Sequence, residues 1–210
     1  MPVRLSADRR FRRAAAVLAG LALALPALAA RLTVQVNDGA NRPLGDAVVY
    51  LESPAARAAV KPATGVEISQ VDKRFQPVIT VVPVGTAVSF PNRDTVRHHV
   101  YSLSPVKPFE IKLYIGTPAA PVVFDKPGVA VLGCNIHDTM AAWTVIVETP
   151  WYGKTDANGR LVLDNVPPGS YRLRTWHASL PPAAPAAERP LTLTADGASA
   201  AYILAGASAN

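Results

Sequence analysis

Only one cysteine, Cys134, occurs among the 210 residues, so no disulfide can form within the chain. The four histidines and that one cysteine are too few for a multi-zinc or multi-haem design, and the covalent haem motif Cys-x-x-Cys-His is absent. Charged residues are scarce at 17% against 50% hydrophobic, a balance too apolar for a disordered chain, so a packed core is expected. No convincing helical period appears beyond the first 30 residues. Proline is plentiful, with 20 residues, and the 13 glycines are spread as widely. Such punctuation suits many short strands and turns, in one large domain or two small ones.

The formal net charge of +6 invites a nucleic-acid partner, but its source removes the invitation. Arg4, Arg9, Arg10, Arg12 and Arg13 face a single acid, Asp8, and a small, apolar run from Ala14 to Ala30 follows. The run ends in Ala27-Leu28-Ala29, a small-x-small cleavage pattern, and residues 1–29 together read as a secretory signal peptide. The expected location is therefore the periplasm, with membrane contact only before cleavage. Arg9-Arg10 leaves twin-arginine export open beside the general route. Without five Arg and one Asp, the mature chain carries 16 basic and 14 acidic residues, a net +2. Its basic residues are scattered, which excludes a nucleic-acid groove.

From Arg31 onward, short apolar segments alternate with turns. Leu32 to Val36 has period two, Asn37-Asp38-Gly39 is a turn, and Ala47 to Leu51 is a second strand. Residues 53–64 read as a connector. Strands are expected at 78–82, 87–90, 99–102, 109–115, 122–124, 129–132 and 143–147, and their close spacing predicts an antiparallel sandwich or barrel. Beyond Pro150, turns at Thr155-Asp156-Ala157-Asn158-Gly159 and Val166-Pro167-Pro168-Gly169-Ser170 separate strands at 160–163 and 171–176, with further strands at 191–194 and 201–204.

The segments 32–51 and 155–176 resemble the carboxypeptidase regulatory-like domain, a small transthyretin-like β-sandwich. The carrying residues are Val34-x-Val36-Asn37-Asp38-Gly39, Pro43-Leu44-Gly45-Asp46-Ala47, Thr155-Asp156-x-x-Gly159-Arg160-Leu161 and Pro167-Pro168-Gly169-Ser170-Tyr171-Arg172-Leu173. In that family the two halves follow closely, whereas about a hundred residues part them here. The resemblance thus implies a split sandwich over 30–64 and 149–210, with a second β-domain at 65–148 inserted in or adjoining it.

The chemistry concentrates in Gly133-Cys134-Asn135-Ile136-His137-Asp138-Thr139-Met140, between two expected strands, with His98 and His99 upstream. A thiolate, imidazoles and a thioether select a soft or borderline metal, and two His with one Cys and a weak axial Met form the ligand set of a blue copper site. Zinc also accepts one Cys and two His. An unpaired thiol is a hazard in an oxidising compartment, which favours ligation of Cys134 over a role as a small buried hydrophobe. Successive strand side chains point to opposite faces, so only one of His98 and His99 can face the ion.

At these residues the chain resembles the cupredoxins, most closely those of the amicyanin type, over about 67–147. The short spacing of Cys134, His137 and Met140 and the stretch Phe90-Pro91-Asn92-Arg93-Asp94-Thr95-Val96-Arg97-His98 carry the likeness. It implies an all-β Greek-key sandwich or barrel, one type 1 copper, and the ligands His98, Cys134, His137 and Met140. His99 then stands exposed or bonds across the ligand loops, where the family usually has Asn. Asn135-Ile136 replaces the Thr-Pro of amicyanins, and Asn135 is placed to tune the thiolate. Single-electron transfer with a redox partner, a periplasmic dehydrogenase or cytochrome, is the implied function. His137 is expected to be the electron port, rimmed by Ile136, Ala141 and Ala142. With no second metal site to bind substrate, the chain is expected to catalyse nothing alone. The rival readings are copper handling, which usually favours exposed Met or His clusters, and a surface-interaction module. His177 is assigned to the other sandwich.

Overall fold

Leu32, Val34 and Val36 alternate with Thr33 and Gln35, and the backbone there is a strand whose even-numbered side chains are turned inward and odd-numbered ones outward. The computed structural model describes residues 29–181 and 184–209. The leader expected over 1–29 lies, except for Ala29, outside the described residues. The chain runs β1 (Ala30–Asp38), β2 (Val48–Glu52), a short helix α1 (Pro54–Ala59), β3 (Val66–Glu67), β4 (Ser69–Val71), β5 (Arg74–Gln76), β6 (Ile79–Pro83), β7 (Thr86–Ser89) and β8 (His98–Ser102). It continues with β9 (Phe109–Tyr114), β10 (Val122–Phe124), β11 (Gly128–Gly133), β12 (Ala141–Val147), β13 (Tyr152–Lys154), β14 (Arg160–Val166), β15 (Gly169–Trp176), β16 (Ala187–Leu193) and β17 (Ala198–Leu204).

These strands form two pairs of sheets and a hairpin. One pair, ordered β14-β1-β17 and β13-β2-β15-β16, buries Leu32, Val34, Leu51, Leu173, Leu193 and Leu204 in a shared core. The other, ordered β10-β7-β3 and β6-β12-β11-β8-β9, encloses Val82, Val88, Val100, Phe124, Leu132 and Ile146. Burial of each large apolar side chain contributes about 1.5–3 kcal/mol, which is what holds the sheets face to face. A third apolar group, Val48, Ile79, Val145, Val147 and Trp176, draws on strands of both pairs. The protein is therefore all-β and sandwiched, and among the described residues no sheet closes into a barrel. The chain leaves the first pair of sheets after β2, builds the second, and returns at β13.

Pairing is not purely antiparallel, contrary to expectation. β1 with β17, β6 with β12 and β3 with β7 run parallel. Parallel neighbours need a crossover of a dozen or more residues, and each of these pairs is separated by at least that much chain. The connector at 53–64 also holds structure. Ser53 Oγ accepts the Ala56 N–H at 3.0 Å, and Pro54 supplies a preset φ at the first helical position.

Candidate metal centre

Two segments of the second pair of sheets supply the site. β11 and β12 pair from Gly128↔Ile146 to Gly133↔Ala141, so the seven residues Cys134 to Met140 are held as a closed loop above a regular ladder. Within it the Met140 N–H donates to the His137 carbonyl at 2.9 Å, a tight turn that closes the loop. Cys134 and Met140 are buried, His137 is half-buried, and Ile136, Asp138 and Thr139 are exposed. β8 lies beside β11 through Gly133↔Tyr101, and it begins with His98.

His98, Cys134 and His137 converge there, with one ligand atom from each lying within 4.8 Å of the others. The His98 and His137 rings stand 5.0 Å apart between centroids. Both Nδ1 atoms are buried and have no hydrogen-bond partner. A buried polar atom left unpaired costs about 1–3 kcal/mol, so two such atoms on side chains that meet a buried thiol need an explanation. An ion shared by the three side chains supplies one, since imidazole nitrogen and thiolate sulfur are ligands for copper or zinc. Met140 packs in the same core group as Cys134.

The other ring nitrogen of His98 is also accounted for. His98 is fully buried, and its Nε2 lies 2.7 Å from Asp94 Oδ2. Asp94 is part of the loop between β7 and β8, and Asn92 shapes that loop. Asn92 Oδ1 accepts the Asp94 N–H at 2.9 Å, and Asn92 Nδ2 donates to the carbonyls of Val96 at 2.8 Å and Tyr114 at 2.9 Å. Burial pushes the Asp94 carboxyl upward, but the N–H groups of Lys73 and Asp72 and the His98 ring outweigh it and hold it below the usual range. Sequence alone gives Asp94 no role. The one signal was a carboxylate four residues before a candidate ligand.

His99 lies outside the group. It was expected to be exposed or to bridge the ligand loops, yet it is buried, and its Nε2 meets Glu110 Oε1 of β9 at 2.8 Å. Its ring lies 5.5 Å from that of Tyr101 and its Nδ1 is buried without a partner, so His99 sits within the packing and not on an open face. Three residues of β8, from His98 to Val100, lie opposite four of β9, from Tyr114 to Ile111, an irregularity of the kind that re-aims side chains. Ala142, expected on a docking rim, is fully buried, whereas Ile136 and Ala141 are exposed. The exposed apolar residues Leu103 and Val131 line an open cleft of about 880 Å³ that runs from Cys134 and Met140 past Trp143 to Trp176. His177 lies away from the group, with Nδ1 2.7 Å from Ser179 Oγ, and burial lowers its pKa.

Fold and site thus define an all-β sandwich protein in which a buried thiol and two imidazoles come together as a possible metal group. No family model matches the chain, and no curated protein matches it. Solved structures do. A purple cupredoxin from Nitrosopumilus maritimus is 20% identical, with 39% of this chain and 99% of that one covered and a TM-score of 0.35. A reduced Cu(I) form of an amicyanin variant is 20% identical, covering 47% of this chain and 98% of its own, with a TM-score of 0.37. A copper-containing nitrite reductase from Thermus scotoductus is 24% identical over 53% of this chain but only 28% of the enzyme, with a TM-score of 0.37.

Proposed function

We propose that this chain is an exported electron carrier built on one type 1 copper centre, with His98, Cys134, His137 and Met140 as its ligands. The observation that carries the reading is the convergence of His98, Cys134 and His137, with one ligand atom from each within 4.8 Å of the others. Copper, when bound, supplies a reversible one-electron couple. The chain's own residues suit that task. Cys134 is buried, which shields the thiolate from oxidants and from exchange. Neutral imidazoles serve both oxidation states, and a buried Met140 denies water a place on its side of the site. Because the ligands project from paired strands and a closed loop, little rearrangement accompanies a change of charge.

The half-buried His137 is the electron port, with exposed Ile136 and Ala141 beside it. The partner is a redox protein of the same compartment, a dehydrogenase or a cytochrome, and the chain catalyses no bond change alone. The sandwich of 30–52 and 152–204 serves as a transthyretin-like scaffold. A copper-delivery role asks for exposed ligands, and the burial of His98 and Cys134 supports transfer of electrons instead. The test is to load the chain with Cu(II) and record visible absorption and electron paramagnetic resonance. An intense thiolate-to-copper charge-transfer band with small copper hyperfine splitting is the expected result. A pale adduct that Cys134→Ala leaves unchanged would overturn the reading.

A further inference from the structure

We infer that the cleft between the two pairs of sheets is a binding site for a small organic cation with an aromatic body. The cleft measures about 880 Å³ and takes one wall from each pair of sheets. That size suits a small molecule, since such sites usually span about 300–1,000 Å³ and carry mostly apolar linings with a few polar groups. Tyr101, Trp143 and Trp176 line it, together with Leu103, which is 83% exposed. A large apolar side chain left so open to water, beside three aromatic ones, is the signature of a surface that receives a ligand.

Both walls are fixed before any ligand arrives. On the far side, Trp176 is packed with Ile79 and Val145, and the segment that follows β15 is tied down behind it. The Ser179 N–H donates to His177 Nδ1 at 3.2 Å, the Leu180 N–H to the His177 carbonyl at 3.1 Å, and the Ser208 N–H to Ser179 Oγ at 3.0 Å. On the near side, the Val131 N–H donates to Ser104 Oγ at 2.9 Å, which holds the turn that carries Leu103. Gly133 lets the Tyr101 ring lie against β11, because a Cβ there would come within 2.8 Å of it. The second sandwich therefore contributes half of a rigid cleft and is more than an appendage to the metal centre.

The charge of the lining selects the ligand. Asp138 is the one charged residue among those that line the cleft, and no lysine, arginine or histidine lines it. Asp138 is exposed and, among the described residues, forms no ion pair. A lone carboxylate repels anions and attracts cations, and aromatic faces attract organic cations further. An ammonium group with an aromatic body satisfies both parts of the surface at once.

The test uses the full chain without metal, so its outcome is independent of the copper reading. The probe is benzyltrimethylammonium, with phenylacetate as the anion of similar size, and the readout is the indole N–H signals of the three tryptophans in proton–nitrogen spectra. Trp151 is the internal control, because it packs on the core of the first sandwich and its Nε1–H donates to the Asn165 carbonyl at 3.1 Å. The cation is expected to shift the Trp143 and Trp176 signals saturably and to leave Trp151 in place, and phenylacetate to shift none. Asp138→Asn keeps the shape of an exposed side chain and should weaken the cation about two- to fivefold. Unmoved Trp143 and Trp176 signals, equal binding of phenylacetate, or unchanged affinity in Asp138→Asn overturns the proposal. Signals of Trp143 and Trp176 that move with protein concentration alone would place a second copy of the chain in the cleft and overturn it as well.

Discussion

The backbone N–H of Met140 donates to the carbonyl of His137 at 2.9 Å, so one tight turn places two candidate ligands. Because this bond is made by main-chain atoms, a change of the Met140 side chain leaves the turn intact. Met140→Leu conserves volume and should cost less than about 1.5 kcal/mol of stability. It removes the thioether from a buried position. We expect the charge-transfer band to persist and the reduction potential to rise, because an axial thioether tunes the potential of such sites. A redox titration of the copper-loaded variant measures this, and an unchanged potential would remove Met140 from the ligand set.

His98 and His99 are adjacent, both buried and both bonded to a carboxylate, yet only His98 belongs to the metal group. We expect His98→Ala to abolish the charge-transfer band. His99→Ala should retain it and instead release Glu110, which is exposed on β9. Visible spectra of the two copper-loaded variants decide the matter. Loss of colour in the second alone would reverse the assignment.

Much of this site could be read in advance because its residues are close in sequence. Cys134, His137 and Met140 share one loop, and their spacing alone groups them. The choice between His98 and His99 could be reduced to one of two by strand alternation, but alternation assumed an open face for the loser. His99 is instead buried against Tyr101 and Glu110, and local alternation does not announce that. Asp94 was illegible for a similar reason. Its place is set by a hairpin turn 22 and 21 residues upstream, Asp72-Lys73, which carries no glycine or asparagine. β4 and β5 have three residues each, too few to display alternation. The parallel pairs join strands far apart along the chain, and local pattern does not specify them. Turns with strong chemistry, such as Thr155 to Gly159, were legible as they stand.

Asp38 closes β1 as a buried carboxylate, and its stability contribution depends on pH. The Arg42 N–H leads the groups that favour its charged form, with the Ala209 N–H, the Arg42 side chain and the Ala40 N–H adding to it against the effect of burial. Together they lower its pKa from 3.8 to about 2. A depressed folded-state pKa means that the unfolded chain binds the proton first on acidification. The stabilisation is therefore complete above about pH 4 and fades as pH falls toward 2. Asp38→Asn should be less stable than the wild type at neutral pH, and the gap should narrow across that interval. Urea midpoints of both proteins at several pH values provide the measurement, and a constant gap would refute the assignment.

Gly159 ends the turn that follows β13, with φ at +73°, and its carbonyl accepts the Val36 N–H at 2.7 Å. A Cβ there would lie 2.3 Å from the Val36 carbonyl oxygen and 2.9 Å from the Leu44 nitrogen, both main-chain atoms that cannot swing aside. Gly65 offers a control, since its φ is +67° but nothing lies within 4 Å of a built Cβ. Alanine in the left-handed region costs about 1–2 kcal/mol by itself. Gly65→Ala should show that cost alone, whereas Gly159→Ala should exceed it, because β1 must move away from the turn to admit the methyl group. Chemical denaturation of the two variants separates conformational cost from crowding. Equal losses would mean that the turn does not sit against β1 as closely as the 2.7 Å hydrogen bond implies.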